Sequence, residues 1–174
     1  MSAVVLSALV AVACGVILWA SVPPVVDFPF AALAGSALLV LGVVWVTLTL
    51  IGWFRYRTWR ASVIAPAVVV CTAGLVMVDA PFRLGFQLSR GALTSAAAEC
   101  SVSYDDRRIG VYDVWTTNRN GDDGCLFYIR GGLIDSVGLA YMPSGAPYLG
   151  KPRHDGDIGY EHLAGDWYRF VKQF

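Results

Sequence analysis

The side chains best suited to chemistry in this sequence cluster near its C-terminal end. His154, Asp157, Glu161 and His162 fall within nine residues, and imidazole and carboxylate groups serve as metal ligands and as acid–base groups. The two histidines are eight residues apart, which is not a recognised zinc-binding spacing. We therefore interpret the segment as a polar loop and a hairpin edge, with a metal site as the alternative, and predict no metal and no cofactor.

Two further patterns resemble functional sites but lack required residues. Asn118, Asn120 and Asp122 have the spacing of the first ligands of a calcium loop. The sixth position of such a loop must be Gly and is Asp123, and the twelfth should be Glu and is Ile129. The sequence also lacks a Gly-x-Ser-x-Gly nucleophile motif, a phosphate-binding Gly-rich loop and a basic stripe. We predict a protein that is not an enzyme and does not bind nucleic acid.

The distribution of charge divides the chain into two parts. The sequence is 56% hydrophobic and only 15% charged, with a mean hydropathy of +0.57 and a net charge of zero. Residues 1–79 contain three basic and two acidic residues, whereas residues 82–174 contain ten basic and eleven acidic ones. This asymmetry predicts a membrane domain over residues 1–80 and a water-exposed domain over residues 81–174.

Three uncharged runs interrupt the first part, at residues 3–20, 28–54 and 61–78. An apolar helix needs about 20 residues to cross a bilayer, so the runs predict three transmembrane α-helices. Arg55, Arg57 and Arg60 follow the second run without an intervening acid. Because basic loops stay on the cytoplasmic side, we expect a multi-pass plasma-membrane protein with a cytoplasmic N-terminus and an extracytoplasmic C-terminal domain.

Small residues recur every four positions in the first two predicted helices. Such spacing lets helix backbones approach closely, and it predicts a packing stripe made of Ser7, Ala11, Gly15, Ala31 and Gly35. The stripe would face another helix of the chain or a membrane or envelope protein partner within the lipid bilayer. The alternative is that small residues are simply abundant in this sequence.

The second part predicts a small α+β domain. Residues 89–99 favour a short helix with Ser89 as its N-cap, and an antiparallel sheet of about five strands follows at residues 108–117, 125–130, 138–142, 158–163 and 167–173. Its aromatic residues are either core or a binding face, and the candidates for such a face are Tyr141, Tyr160, Trp167 and Tyr168.

The cysteines also separate between the two parts. Cys14 and Cys71 lie in predicted helices, where thiols act as small apolar groups. Cys100 and Cys125 are the pair in the second part and enclose 24 residues. An extracytoplasmic domain permits a disulfide, so we predict a bridge between them, with Cα atoms about 4.4–6.8 Å apart.

Two segments of the second part, residues 138–145 (GLAYMPSG) and 160–170 (YEHLAGDWYRF), carry a resemblance. They are similar to uncharacterised small membrane proteins of high-GC Gram-positive (actinobacterial) bacteria, which end in a comparable Gly-x-Trp-Tyr hairpin. The resemblance covers the last third of the chain and implies a plasma-membrane location, without catalytic residues.

These expectations combine into one fold class and one function. We predict an integral membrane protein with three transmembrane α-helices followed by a small α+β domain with an antiparallel sheet. Its function would be non-enzymatic, in envelope interaction or as an accessory subunit of a membrane complex. The alternative is a membrane-anchored enzyme or metal-dependent protein that uses the region of His154 and His162.

Overall fold

A computed structural model describes residues 3–24, 28–56, 64–121, 124–131 and 135–173. Four helices come first in the chain: α1 (Ala3–Ala20), α2 (Phe28–Tyr56), α3 (Ile64–Met77) and α4 (Ala80–Glu99). Six strands follow: β1 (Arg107–Ile109), β2 (Tyr112–Asn120), β3 (Gly124–Ile129), β4 (Ser136–Tyr141), β5 (Ile158–Ala164) and β6 (Trp167–Lys172). The chain forms two compact units, Met1–Ser21 with Phe28–Pro81 and Val22–Asp27 with Phe82–Phe174.

The first unit consists of α1, α2 and α3 around a small apolar core. Val10 and Cys14 of α1 meet Ala65 of α3, and the partly buried side chains packed against them are Leu38, Leu41, Trp45 and Val68. The hydroxyl groups of Thr47 and Thr72 donate to carbonyl oxygens one turn earlier in their own helices. Because these two hydroxyl groups are satisfied locally, they need no polar partner on another helix.

Most of the apolar surface of the first unit points outward. Only 6% of the stretch Pro29–Thr47 of α2 is buried inside the protein, and Leu33, Leu39 and Val40 are all more than 60% exposed. An exposed apolar surface of this extent marks contact with lipid or with another protein.

The prediction of three transmembrane helices is wrong. In the described part of the chain, the stretch Pro29–Thr47 of α2 is the one helix that is long and apolar enough to cross a membrane. α3 has 14 residues, about 21 Å at 1.5 Å per residue, and reaches the required length only if it is joined to α4 as an interrupted span. The apolar stretch Ser7–Ala20 of α1 is also shorter than a span. The uncharged runs predicted too many spans, because a lack of charge does not determine where a helix begins and ends.

The second unit is built on a six-stranded antiparallel sheet in the order β1-β2-β3-β4-β6-β5. It has one strand more than expected, because residues 107–120 form two strands separated by a turn at Gly110 (φ 63°). The hairpin between β5 and β6 turns at Gly165, whose φ of 59° favours glycine. The predicted β2–β3 hairpin is present, and Asp122 and Asp123 in its loop lie outside the described residues.

α4 differs from the predicted short helix at its N-terminal end. It begins at Ala80 instead of Ser89, so that Ser89 lies in the middle of the helix. The Ser89 side chain is fully buried, and its Oγ accepts a hydrogen bond from the Val111 amide at 2.9 Å. Ser89 therefore joins α4 to the β1–β2 turn and is not an N-cap.

The sheet is buried on both faces at its centre, where all six residues of β3 are buried. On the face that we call the helix-side face, α4 covers a core that contains Phe86, Leu93, Phe127, Leu139 and Trp167. On the opposite, loop-side face, the second core consists of Leu126, Tyr128, Ala140, Met142, Tyr160 and Phe170. Tyr148, in the loop between β4 and β5, packs edge-on against Tyr160.

Candidate functional site

The predicted disulfide is confirmed. Cys100, the residue after α4, is bonded to Cys125 in β3, and their Cα atoms are 5.8 Å apart. Cys100 has a φ of 34°, which turns the chain away from the helix axis. The bridge therefore fixes the start of the segment that leads from α4 to β1. Cys14 and Cys71 are free thiols, as predicted for the helical part.

Asp157 is held by its own loop. Its carboxylate accepts hydrogen bonds from the Tyr148 hydroxyl at 2.7 Å and from the amides of Arg153 at 3.0 Å and Ile158 at 2.9 Å. The hydrogen bond from Tyr148 is the largest of the effects that lower the pKa of Asp157. His154 of the same loop is exposed, and its Nδ1 lies 3.3 Å from the Asp155 carbonyl oxygen.

Glu161 and His162 are consecutive on β5 and therefore point to opposite faces of the sheet. Glu161 forms an ion pair with Arg169 of β6. His162 Nε2 lies 2.8 Å from the Gly165 carbonyl oxygen, and its ring packs edge-on against Tyr168. The part of the chain that the structure describes brings no three His, Cys, Asp or Glu side chains together. The four candidate ligands thus have separate structural partners.

The four aromatic residues proposed as a binding face do not lie on the same face of the sheet. Tyr141 pairs with Trp167 on the helix-side face, and Trp167 is only 2% exposed. Tyr160 and Tyr168 belong to the loop-side face. Tyr160 is 4% exposed and accepts a hydrogen bond from Asn120 Nδ2 at 3.3 Å, while burial raises its pKa. Strand alternation separates the four, and core packing buries two of them.

The predicted packing stripe lies largely on open surface. Ala11, Gly15 and Gly35 are exposed, and Ser7 and Ala31 are half-buried. A β-carbon on Gly15 or Gly35 would meet no atom within 4 Å. In the residues that the structure describes, these glycines therefore do not pack against another helix, and a contact with a partner stays a prediction.

A different set of residues forms the open groove that we regard as the candidate site. It has a volume of about 610 Å³ and is lined by Tyr104, Asp105, Asp106, Trp115 and Arg130. A smaller depression of about 260 Å³ shares Asp106 and Arg130 with it. Among the lining side chains, Tyr104 is 76% exposed and Trp115 is 39% exposed.

The first side of the groove comes from the segment after the disulfide. Ser103 exchanges backbone hydrogen bonds with Thr117 of β2, at 3.1 and 2.8 Å. The Ser103 hydroxyl oxygen accepts from the Asp105 amide at 3.2 Å. These contacts and the bridge at Cys100 hold Tyr104 and Asp105 beside the sheet.

The second side of the groove depends on a β-bulge. The β2–β3 register shifts between Val114 and Thr116, which leaves Trp115 without a direct cross-strand partner. Its ring packs edge-on against Tyr128 at 5.7 Å, and burial raises the pKa of Tyr128. Bulges commonly redirect a side chain and are frequent beside functional sites.

The polar groups of the groove supply both donors and acceptors. Asp106, next to β1, forms an ion pair with Arg130, which directly follows β3. In the described ranges, the Asp105 carboxylate has no hydrogen-bond or ion-pair partner. Arg107, next to the groove, donates to Thr117 Oγ1, while its buried Nε has no partner there. The lining therefore offers carboxylate, guanidinium and aromatic groups to a bound partner.

Sequence reasoning did not find this groove. Trp115 lies in the segment 108–117, which is predicted as a strand, and nothing in the sequence distinguishes it from an aromatic residue of the core. The bulge that redirects it depends on pairing with β3 and has no marker in the sequence. The exposed run Tyr104-Asp105-Asp106 after a disulfide cysteine was the available signal.

No protein-family model, curated protein or solved structure matches this chain. The resemblance to actinobacterial membrane proteins therefore stays a prediction.

Proposed function

We propose that this chain is a membrane-anchored, non-enzymatic protein that presents its sheet unit outside the plasma membrane for interaction with an envelope or membrane partner. α2 would act as the anchor, and the groove between Tyr104 and Trp115 as the contact site.

The exposed apolar surface of α2 carries this proposal. With only 6% of the stretch Pro29–Thr47 buried, the helix in water would expose nearly its whole length of Leu and Val side chains. Burial of apolar area is the main favourable term in folding and insertion. Lipid tails can cover such a surface, and the hydroxyl groups on the helix already bond to its own backbone.

The proposed orientation rests on two observations. Disulfides persist in oxidising compartments, and the second unit contains the Cys100–Cys125 bridge. Arg55 lies at the C-terminal end of α2, and Arg57 and Arg60 follow it outside the described residues. A basic end on the cytoplasmic side agrees with the positive-inside rule. To place the oxidised unit outside, the chain must cross the bilayer once more after Arg55, and α3 continued into the start of α4 would make that crossing as an interrupted span.

Extraction of membranes with alkaline carbonate tests the anchor. The wild-type chain is expected to stay in the membrane pellet. Leu39→Arg changes a side chain that is 69% exposed, so it should disturb lipid contact more than the protein's own packing, at a cost of about 2.5–3.5 kcal/mol for a central Arg. We expect less of this variant in the pellet. The matched control, Leu149→Arg, changes a side chain that is 63% exposed in the β4–β5 loop. Release of the wild-type chain would contradict the anchor.

Cysteine labelling tests the orientation in a Cys14→Ser/Cys71→Ser background. Leu149→Cys is expected to react with a membrane-impermeant maleimide on intact cells, and Arg57→Cys only after permeabilisation. The reversed pattern would place the sheet unit in the cytoplasm and remove the argument from the disulfide.

The groove has the composition of an affinity-determining contact. Trp, Tyr and Arg are the residue types that most often dominate interface binding energy, and Tyr104, Trp115 and Arg130 occur together here. A photo-crosslinking amino acid placed at Tyr104 should give a discrete adduct in cells, and Trp115→Ala should abolish the adduct. The same amino acid at Leu149 is the control, since Leu149 is exposed but not part of the groove. An equal yield at both positions would exclude the groove as a specific contact.

A further inference from the structure

The outward side of α4 carries leucines where a helix packed on a sheet usually carries polar residues. Phe82, Phe86 and Leu93 are buried against the sheet. Leu84 and Leu88 are one helical turn apart on the opposite side, and they are 59% and 79% exposed. The core of the second unit therefore does not account for these two side chains.

A third apolar side chain lies beside this surface. Val111, in the turn between β1 and β2, is 36% exposed. Its Cγ2 lies 3.3 Å from the position that a β-carbon on Gly85 would occupy. Val111 thus is a partly exposed apolar side chain of the turn that packs beside Gly85 of α4.

The charged residues of α4 have one sign over nearly its whole length. Arg83 and Arg90 are the charged residues between Ala80 and Ala98, and both are exposed. In the part of the chain that the structure describes, neither guanidinium has a hydrogen bond or an ion pair. The two arginines are two turns apart and share a flank roughly 120–140° around the helix from the leucines. Long arginine side chains can bend back from such a flank towards an interface.

The apolar surface continues in the sequence from α3. Only Val78 and Asp79 separate Met77, the last residue of α3, from α4. Met77 and Val78 are 86% and 60% exposed. If α3 is embedded in lipid, a connection of two residues is too short to carry the first turns of α4 away from the membrane surface.

We propose that the outward side of α4 binds the interfacial layer of an anionic bilayer, with Leu84 and Leu88 at the acyl boundary and Arg83 and Arg90 at lipid phosphates. Exposed leucines combined with unpaired arginines are typical of interfacial helices, and the acid of α4, Glu99, is its last residue. This inference rests on the proposed function, because α2 is what brings the chain to the membrane. It adds a second membrane contact, which would hold the sheet unit against the outer surface.

Site-specific fluorescence on the full-length chain tests the contact. In the Cys14→Ser/Cys71→Ser background, single cysteines at Leu39, Leu88 or Leu149 carry an environment-sensitive dye, and the native disulfide is verified in each variant. The chains are placed in nanodiscs of phosphatidylcholine with or without phosphatidylglycerol. Quenching by a nitroxide on the lipid acyl chain reports direct lipid contact.

We expect strong quenching at Leu39 and Leu88 and none at Leu149. Quenching at Leu88 should increase with phosphatidylglycerol, and Arg83→Gln/Arg90→Gln should remove that increase. Leu84→Cys provides a second position in case the dye at Leu88 prevents folding.

The three positions separate the possible failures. Quenching at Leu39 without quenching at Leu84 or Leu88 overturns the α4 contact and leaves the anchor intact. Absence of quenching at Leu39 overturns the proposed function and this inference together. A blue-shifted emission at Leu88 without lipid quenching would mean that a protein, such as a second copy, covers the helix, and it also overturns the lipid contact. Quenching at Leu88 that is independent of phosphatidylglycerol overturns the role of the two arginines.

Discussion

Cys100 and Cys125 join the C-terminal end of α4 to β3 of the sheet, with 5.8 Å between their Cα atoms. The bond closes a loop that contains β1, β2 and four of the five residues that line the groove, Tyr104, Asp105, Asp106 and Trp115. The disulfide therefore constrains both the helix-side core and the candidate contact site.

Removal of the disulfide should destabilise the second unit. The bridge encloses 24 residues, for which the loop-entropy relation gives about 3–4 kcal/mol. Cys100→Ser/Cys125→Ser should lower the midpoint of chemical unfolding. This midpoint is measured in detergent by near-ultraviolet circular dichroism. Cys14→Ser/Cys71→Ser is the control and should leave this midpoint nearly unchanged. A reducing agent should reproduce the loss in the wild-type chain, and equal midpoints with and without it would contradict the prediction.

Gly138 leaves room for the Phe170 ring and for the backbone of β3. A β-carbon at this position would lie 2.0 Å from the Phe127 carbonyl oxygen and 2.7 Å from the Phe170 ring. Gly138→Ala should therefore destabilise the second unit, by about 1–3 kcal/mol as for other overpacked cores. Gly91→Ala is the matched control, because a β-carbon on Gly91 in α4 meets nothing within 4 Å and alanine favours a helix. Similar unfolding midpoints for the two variants would show that β4 can shift to accommodate the added β-carbon, which would contradict the prediction.

The hydrogen bonds to Asp157 should make stability depend on pH. The pKa of Asp157 is lower in the folded state than its ordinary value of 3.8, so its contribution to stability is present above that value and is lost as the pH falls through the folded pKa. Asp157→Asn should lower the thermal midpoint at neutral pH, with a smaller difference in acid. Asp155→Asn is the control, since Asp155 is exposed and its carboxylate makes no described hydrogen bond. A difference that grows in acid would contradict the assignment.

The two histidines provide a test of the enzyme alternative. His154 is exposed in a loop, and His162 contacts Gly165 and Tyr168 within its own hairpin. His154→Ala/His162→Ala should therefore leave the unfolding midpoint and the cellular phenotype close to wild type, apart from the small cost of the His162 contacts. Loss of function in a variant that remains folded would favour the enzyme alternative.

Leucine at the exposed glycines of the first unit should affect association more than folding. A β-carbon at Gly15 or Gly35 meets no atom within 4 Å in the described part of the chain. Since these positions are exposed, Gly15→Leu and Gly35→Leu should unfold nearly as the wild type does. If the small-residue stripe contacts a partner, the bulk of leucine should reduce chemical crosslinking in membranes. Gly74→Leu on α3 is the control, because Gly74 has the same open surroundings but is not part of the stripe.

Local sequence patterns predicted the second unit well. The turn residues around Gly121 and Gly165 mark hairpins because few other residues adopt their positive φ values. The alternation at Cys125, Phe127 and Ile129 placed these side chains on one face, and all three belong to the helix-side core. The disulfide followed from the cysteine count and the division of charge. Each of these inferences depends on residues close together in the chain or, for the disulfide, on the second part having one possible cysteine pair.

The start of α4 and the number of membrane spans were not determined in this way. Phe82, Leu84, Phe86 and Leu88 alternate with Gly and polar residues as in a strand, yet packing of Phe82 and Phe86 on the sheet selects a helix from Ala80 onwards. Tertiary packing overrides local propensity in such a case. Likewise, an uncharged run indicates an apolar segment, while the helix length that spans a bilayer depends on where the backbone turns, as it does at Asp79.

By itself, the sequence determined the division into an apolar helical part and a charged sheet part, the hairpins and the cysteine pair, because composition and short-range periodicity carry that information. Only the tertiary structure decided which aromatic side chains are buried and which are accessible. Trp167 and Trp115 look alike in the sequence, but the register of β4, β5 and β6 buries Trp167 and a bulge in β2 exposes Trp115. Exposure is a property of long-range strand pairing, so the groove became visible only once the sheet was assembled.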